Sequence, residues 1–275
     1  MIFLYIFLAI VIVFCTWLFL IAPGDSSGME GFKNKKYAHR GLHGTVGGYD
    51  AYAAENSLTA FERAKEHGFG IELDVRISKD GELVVFHDGV LDRVTDMTGK
   101  VEDYTLEELK KCRLSGTDDT IPTLSEVLAL IDGAVPLVIE LKEEGFDHSI
   151  SEKSALVLKD YEGDYVVECF SPFAFGVFKK NLPKIPRGFL SCKHTANPKT
   201  RAFKFRPIQR FLFNFLARPA FIAVDKRTPK LFPIPLICAL FGTPRIAWKV
   251  KSKEEEIEAY KNGVSGVIFE GYMPD

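Results

Sequence analysis

FGIELDVRISKDGELVVFHD, residues 69–88, decides the fold and points to the chemistry. Glu72 and Asp74 stand two residues apart in a run of strand formers, so they project from one face of a strand while Leu73 and Val75 take the other. Such alternation is ordinary on the wet face of an antiparallel strand. Here, however, the runs 84–86 and 137–139 are apolar on both faces, as in a parallel sheet covered by helices. An unpaired carboxylate buried in such a sheet is costly unless a cation lies beside it. Asp80-Gly81 is a turn signal, and a tight hairpin closed there brings Asp74 roughly opposite His87. A chain that stayed parallel needs an extended crossover instead. Either route leaves His87 near the two carboxylates.

With 275 residues, 47% hydrophobic and 26% charged, the chain is long enough for one large α/β domain or two small ones. Residues 2–22 hold no charged side chain. At about 1.5 Å per residue they span roughly 31 Å, the thickness of a bilayer's hydrocarbon core. We read residues 1–23 as a transmembrane anchor rather than a cleaved signal peptide, because neither a basic leading segment nor a small-x-small cleavage pattern is present. Lys33, Lys35, Lys36 and Arg40 follow the span, which places the remainder on the cytoplasmic side. Cys15 lies in the span. Cys112, Cys169, Cys192 and Cys238 have neither metal-site nor disulfide-framework spacing, as expected of free thiols in a reducing compartment.

After a Gly- and Ser-containing linker, 24–34, a domain spans 35–275. KKYAHRG, 35–41, reads as a short strand ending in His39-Arg40-Gly41, and the glycine-rich loop 42–54 is long enough to lie over a site. Asn56 or Ser57 caps a helix that runs to His67 and stops at Gly68. Thr105 with Glu108, Thr123 with Glu126 and Ser252 with Glu255 form capping-box patterns at further helix starts. Between the helices recur apolar runs at 136–142, 165–170, 187–190, 220–225, 245–250 and 266–269. Strands alternating with helices in this way predict a (β/α)8 TIM barrel. Nine candidate strands compete for eight places, and either 187–190 or 220–225 is expected to be the surplus one. In such a barrel the chemistry lies at the C-terminal ends of the strands, where His39, Glu72, Asp74, His87, Glu140 and Lys142 fall.

The chain resembles the glycerophosphodiester phosphodiesterase family through His39-Arg40-Gly41, Glu55-Asn56, Glu72-Leu73-Asp74, Val85-Phe86-His87-Asp88, Ile121-Pro122-Thr123-Leu124 and Ile139-Glu140-Leu141-Lys142. These motifs keep the family's order and spacing over roughly residues 35–145. The second half matches more loosely: Phe170-Ser171, Trp248-Lys249-Val250 in place of Trp-Thr-Val, Phe269-Glu270 where an aspartate is usual, and Ala54 in place of a proline. The resemblance implies a barrel of the phospholipase-C-like phosphodiesterase type with a small insertion at 90–121 that rims the pocket. It implies His39 and His87 as general base and acid, and Glu72, Asp74 and Glu140 as ligands of one divalent cation. All-carboxylate ligation favours a hard ion, Ca²⁺ or Mg²⁺, over zinc. Arg40 and Lys142 then clamp the phosphate oxygens, Glu55 is a further ligand of the cation or binds a glycerol hydroxyl, and Trp248 walls the site or fills the barrel top. His43 is taken as a loop residue.

Charge is unevenly spread. Residues 169–253 carry 18 Lys and Arg against Asp225 alone, a net of +17, which leaves −19 for the rest of a chain whose formal charge is −2. Within this stretch, 199–219 interleaves Arg and Lys with phenylalanines, which suits a helix lying on an anionic membrane surface better than a nucleic-acid partner. The expected activity is therefore metal-dependent hydrolysis of glycerophosphodiesters to glycerol phosphate and an alcohol at a membrane. The alternatives are a lysophospholipase D acting on lysophospholipids and, in a different class, a catalytically silent lipid-binding module.

Overall fold

The computed structural model describes residues 1–143, 145–191 and 206–275. In chain order its strands are β1 (Lys36–His39), β2 (Gly70–Ile77), β3 (Leu83–Val85), β4 (Leu137–Leu141), β5 (Tyr165–Cys169), β6 (Arg187–Ser191), β7 (Phe221–Asp225), β8 (Arg245–Val250) and β9 (Gly266–Phe269). Eight of them pair in parallel in the order β1-β9-β8-β7-β6-β5-β4-β2, and β1 also pairs with β2, which closes the barrel. The expected (β/α)8 architecture is thus present. The surplus strand is not the expected one: 187–190 and 220–225 both enter the ring as β6 and β7, and β3 is the addition. Asp80-Gly81 turns the chain back tightly, with Gly81 at φ 85°, so β3 returns antiparallel along β2 and pairs Val75 with Val85. That register sets Phe86, whose N–H donates to the Asp74 carbonyl at 2.9 Å, opposite Asp74, one residue short of the expected His87.

The helices are α1 (Ile2–Ile21), α2 (Leu58–Glu66), α3 (Leu106–Leu109), α4 (Leu124–Ile131), α5 (Ser149–Leu158), α6 (Phe175–Asn181), α7 (Arg206–Gln209), α8 (Asn214–Ala217), α9 (Ile234–Phe241) and α10 (Lys253–Lys261). Their starts follow the side-chain oxygens that satisfy first-turn N–H groups. Ser57 accepts from Ala60, and Thr105 and Thr123 form reciprocal capping boxes with Glu108 and Glu126. Ser252 accepts from the Glu255 N–H, but its own N–H does not donate to the Glu255 carboxylate, which is drawn to the Lys251 N–H and to Lys226. The box expected there is one-sided. In α4 the buried Leu124, Val127, Leu128 and Ile131 keep helical spacing and face the strands.

Inside the barrel, strand parity stacks two levels. Tyr37, Val138, Val166, Leu190, Phe221, Ala223, Ile246 and Ile268 form a buried apolar lower level, closed from below by Met29 and Phe32 of the 3-10 turn Ser27–Phe32. Two residues further along their strands stand His39, Glu140, Glu168, Trp248 and Glu270, at the C-terminal level. Residues 24–34 therefore plug the barrel floor rather than space it from α1. Gly24 donates to the Pro219 carbonyl at 2.9 Å and Asn34 is tied to the Ser265 carbonyl.

Residues 199–205 of the basic aromatic stretch lie outside the described residues. The remainder is broken into α7 and α8 by a turn with Phe211 at φ 61°. Phe211 is buried against Phe189, with ring centroids 5.0 Å apart, and Asn214 and Ala217 are buried too. This part belongs to the outer layer of the barrel, not to one continuous surface helix. The 90–121 segment builds a small core of its own, in which Leu91, Val101, Leu109, Cys112, Leu114 and Ile121 are buried with Val84 and Phe86 of the hairpin.

Candidate active site

The site grows from three strand ends. β1 delivers His39 and then bends: Arg40 takes a left-handed conformation, φ 57°, which turns its N–H onto the Glu72 carboxylate at 2.9 Å. Gly41 follows at φ 80°, where a Cβ would meet the Ala60 backbone of α2 at 2.8 Å, so only glycine fits under this helix. β2 supplies Glu72 and Asp74 from one face, β4 supplies Glu140 in register with Asp74, and β5 supplies Glu168 in register with Glu140.

All four carboxylates are buried. Ligand oxygens of Glu72, Glu140 and Glu168 lie within 4.8 Å of one another. Burial, then repulsion from their neighbours, pushes Glu72 and Glu168 well above the usual carboxylate range, and burial raises Glu140 against the pull of Lys142. Glu168 Oε2 has no hydrogen-bond partner among the described residues. Asp74 is held differently. Burial alone would raise it, but Lys142 at 2.8 Å and Arg40 at 3.2 Å keep it ionised, and Asn56 Nδ2 donates to it at 2.8 Å. Lys142 also reaches Glu140 at 2.7 Å.

Asn56, φ 55°, does not cap α2; Ser57 does. Asn56 is a positioning group for Asp74. Arg40 Nη1 donates to Glu55 at 2.7 Å, and Glu55 also accepts from Arg93 of the 90–121 segment at 2.6 and 2.9 Å. Burial opposes ionisation of Glu55, but the two arginines hold it down at about 2. The segment therefore touches the pocket through Arg93, which also pairs with Asp88 at 2.5 Å.

The two histidines differ in surroundings. His39 is nearly enclosed, and burial pushes its conjugate acid down to about 3, so the ring is neutral. Its Nδ1 sits 2.8 Å from Glu270 Oε2, which leaves Nε2 as the unprotonated atom. Glu270, also contacted by Lys249 at 3.3 Å and Lys251 at 3.1 Å, is lowered chiefly by its hydrogen bond to His39. His87 is half-buried and lowered by burial, although the Asp74 charge opposes this, and its Nδ1 lies 2.5 Å from Asp88. Trp248 packs edge-on against Phe170, 6.0 Å between centroids, over the apolar level, with Nε1 buried and without a hydrogen-bond partner among the described residues.

Every expected site residue thus lies at the C-terminal end of the barrel. Three further residues belong to it. Glu168 occupies the parity that makes Val166 an interior residue. Glu270, read as a departure from a usual aspartate, is the partner of His39. His43, read as a loop residue, has a ring nitrogen within 4.8 Å of ligand atoms of His39 and Glu270.

Known proteins fit this picture. The sequence pattern of the glycerophosphoryl diester phosphodiesterase family matches residues 39–221. A glycerophosphodiester phosphodiesterase of Caldanaerobacter subterraneus is 34% identical over 245 residues, 84% of this chain and 91% of that protein. One of Bacillus altitudinis is 37% identical over 169 residues, covering 57% and 66%. The structure of an Oleispira antarctica phosphodiesterase in complex with the product sn-glycerol-3-phosphate superposes with a TM-score of 0.71 at 26% identity, over 86% of this chain and 93% of that one. Family pattern, relatives and barrel agree with the site's own chemistry, and the chain belongs to the glycerophosphoryl diester phosphodiesterase family, as a phosphoric diester hydrolase with glycerophosphodiester phosphodiesterase activity.

Proposed function

We propose that the chain hydrolyses glycerophosphodiesters to glycerol phosphate and an alcohol by acid–base catalysis between His39 and His87, beside one divalent cation, at a membrane. The observation that carries this reading is the ring of buried carboxylates at the C-terminal level of the barrel, with Glu168 Oε2 lacking a partner among the described residues. Carboxylates raised by burial first and by their neighbours' charge second fit a hard cation, and an all-oxygen donor set favours Ca²⁺ or Mg²⁺. Glu72, Asp74 and Glu140 would hold it, with Glu168 completing the ring. When bound, it offsets the charge of the phosphodiester and polarises a phosphoryl oxygen.

The protein's own groups do the rest. His39, neutral and fixed through Nδ1 by Glu270, offers Nε2 to take the proton of the attacking hydroxyl. His87 returns a proton to the leaving alkoxide. Arg40 and Lys142, each held between carboxylates, present fixed cations to the phosphate oxygens, and Trp248 Nε1 is a further donor at the same level. Glu55, oriented by Arg40 and Arg93, accepts from a glycerol hydroxyl.

Membrane attachment is supported by α1, 20 residues long, apolar throughout and exposed over most of its length. The cytoplasmic placement of the barrel rests on Lys33, Lys35 and Lys36, since Arg40 is consumed by the site. The test is release of glycerol phosphate from glycerophosphocholine with Ca²⁺ or Mg²⁺, with chelator, and by a His39→Ala variant. Turnover that is metal-dependent and lost in the variant is the expected result; full turnover in chelator would remove the cation from the reading.

A further inference from the structure

The apolar helix leaves the barrel in a definite direction. Gly24 is bonded to Pro219, which precedes β7 at the barrel floor. The Ile21 carbonyl accepts from Asn214 Nδ2 of α8 at 2.9 Å, and the Ala22 carbonyl from Arg218 at 2.9 Å. Trp17 stacks on Phe232, 6.0 Å between centroids and 7° between planes, and Phe232 follows β7 and leads into α9 at the catalytic end. Traced from Ile21 back towards its N-terminus, α1 therefore climbs from the floor to the catalytic end. Residues 2–16 are all exposed. At about 1.5 Å per residue they project about 22 Å past Trp17 on that side.

The rim beside α1 matches this direction. Phe146, in the loop after β4, is 79% exposed and Phe232 is 52% exposed. Phe146 packs on Phe173 of the loop after β5 at 5.1 Å, and Phe173 on Phe213 at 5.5 Å. Phe213 leads into α8, whose Phe215 meets Phe19 of α1 at 6.1 Å. An aromatic band thus joins the apolar helix to the catalytic mouth. Arg227 and Lys230 stand exposed near Phe232. The far side of the mouth is different: residues 90–121 hold eight acids against five bases, with Asp92, Asp96, Glu102, Asp103 and Glu107 exposed. On the floor, Asp132, Asp160, Glu162 and Asp164 are exposed as well. An anionic headgroup layer accepts aromatic and basic side chains and repels acidic ones.

We propose that the rim formed by the loops after β4, β5 and β7, beside α1, lies in the headgroup layer of an anionic bilayer. The mouth then opens towards lipid, so that a phosphodiester held in the leaflet reaches it without leaving the headgroup layer. The proposal rests on the anchor reading above, and the experiment separates the two. In the whole chain with Cys15, Cys192 and Cys238 changed to serine, which leaves only the buried Cys112 and Cys169, one exposed cysteine is placed by Phe146→Cys or by Glu102→Cys and labelled with an environment-sensitive fluorophore. The protein is reconstituted into phosphatidylcholine–phosphatidylglycerol vesicles containing nitroxide lipids. The label at 146 is expected to be quenched several times more than the label at 102. A chain that fails to float with the vesicles overturns the anchor reading and this one with it. A chain that floats with equal or reversed quenching overturns this one alone. In the same vesicles, Phe146→Ser and Phe232→Ser should each slow turnover of lysophosphatidylcholine by about tenfold, the worth of withdrawing one aromatic side chain from the interface. Glycerophosphocholine turnover in solution should be unchanged, and an equal loss on both substrates would count against the proposal.

Discussion

Two levels of one barrel, a single strand repeat apart, obey opposite rules. At the lower level Tyr37, Val138, Val166, Ile246 and Ile268 fill the interior with hydrocarbon; at the upper level the same strands carry His39, Glu140, Glu168, Trp248 and Glu270. In most strands the ladder runs on between them, and in β8 a register shift against β9 falls between Ala247 and Val250. The difference is that the lower level is closed by Met29 and Phe32 and gains on the order of 1.5–3 kcal/mol for each large apolar side chain taken from water. The upper level buries charges whose repulsion only a cation or a paired lysine relieves. Stability is therefore concentrated below and function above, and the two should come apart under substitution.

The largest expected effect lies above. His87→Ala should reduce turnover of glycerophosphocholine by about 10²–10⁴, the usual worth of a general acid, with the melting temperature close to wild type. A p-nitrophenyl phosphodiester, whose leaving group needs no proton, should lose far less. Equal losses on the two substrates would mean that His87 positions substrate rather than protonating it. The next effect lies below. Phe221→Ala should cost about 3–5 kcal/mol of stability, because Phe221 is fully buried at the lower level, while activity per folded molecule stays within about twofold. Urea unfolding beside active-site titration checks both halves. A fold that tolerates Phe221→Ala but loses turnover would erase the division between levels.

How much of this was legible in the sequence depends on whether a signal is local. Caps and apolar runs are local, so the strand segments and the helix starts at Ser57, Thr105 and Thr123 could be read directly, whereas which segment stood outside the ring could not. Register is not local. The hairpin at Asp80-Gly81 was visible, but whether it set Phe86 or His87 opposite Asp74 depended on one residue of turn geometry. Glu168 shows the same limit: a lone acid in YVVEC carries no motif, and its role comes from lying in register with Glu140. The available signal was parity, since Val166 is interior and Glu168 must be too. Asn56 looked like a cap because caps are the common use of asparagine before a helix, and only its left-handed backbone sends the side chain to Asp74 instead. His43 and Glu270 come from opposite ends of the chain, and nothing in either neighbourhood announces the other.

The smallest effect is the sharpest on the comparison. Glu168→Gln removes a charge from the upper level without changing its shape. Burial and the neighbouring carboxylates raise the folded-state pKa of Glu168 well above its unfolded value of about 4.3. The folded protein then binds the proton more tightly than the unfolded chain, so the stabilising contribution is complete below about pH 4.3 and is lost as pH rises through the folded pKa. Glutamine carries no charge at either pH. In chelator, the variant should therefore match wild type near pH 4 and melt a few degrees higher at pH 8, since about 1 kcal/mol moves the melting temperature of a domain this size by about 2–4 °C. Ca²⁺ should reverse the order at pH 8, stabilising wild type more than the variant, because the charge that repels its neighbours in chelator is one that would hold the ion. A variant that melts below wild type at pH 8 in chelator would show that the carboxylate is already compensated within the protein, and that the upper level is not waiting for a cation.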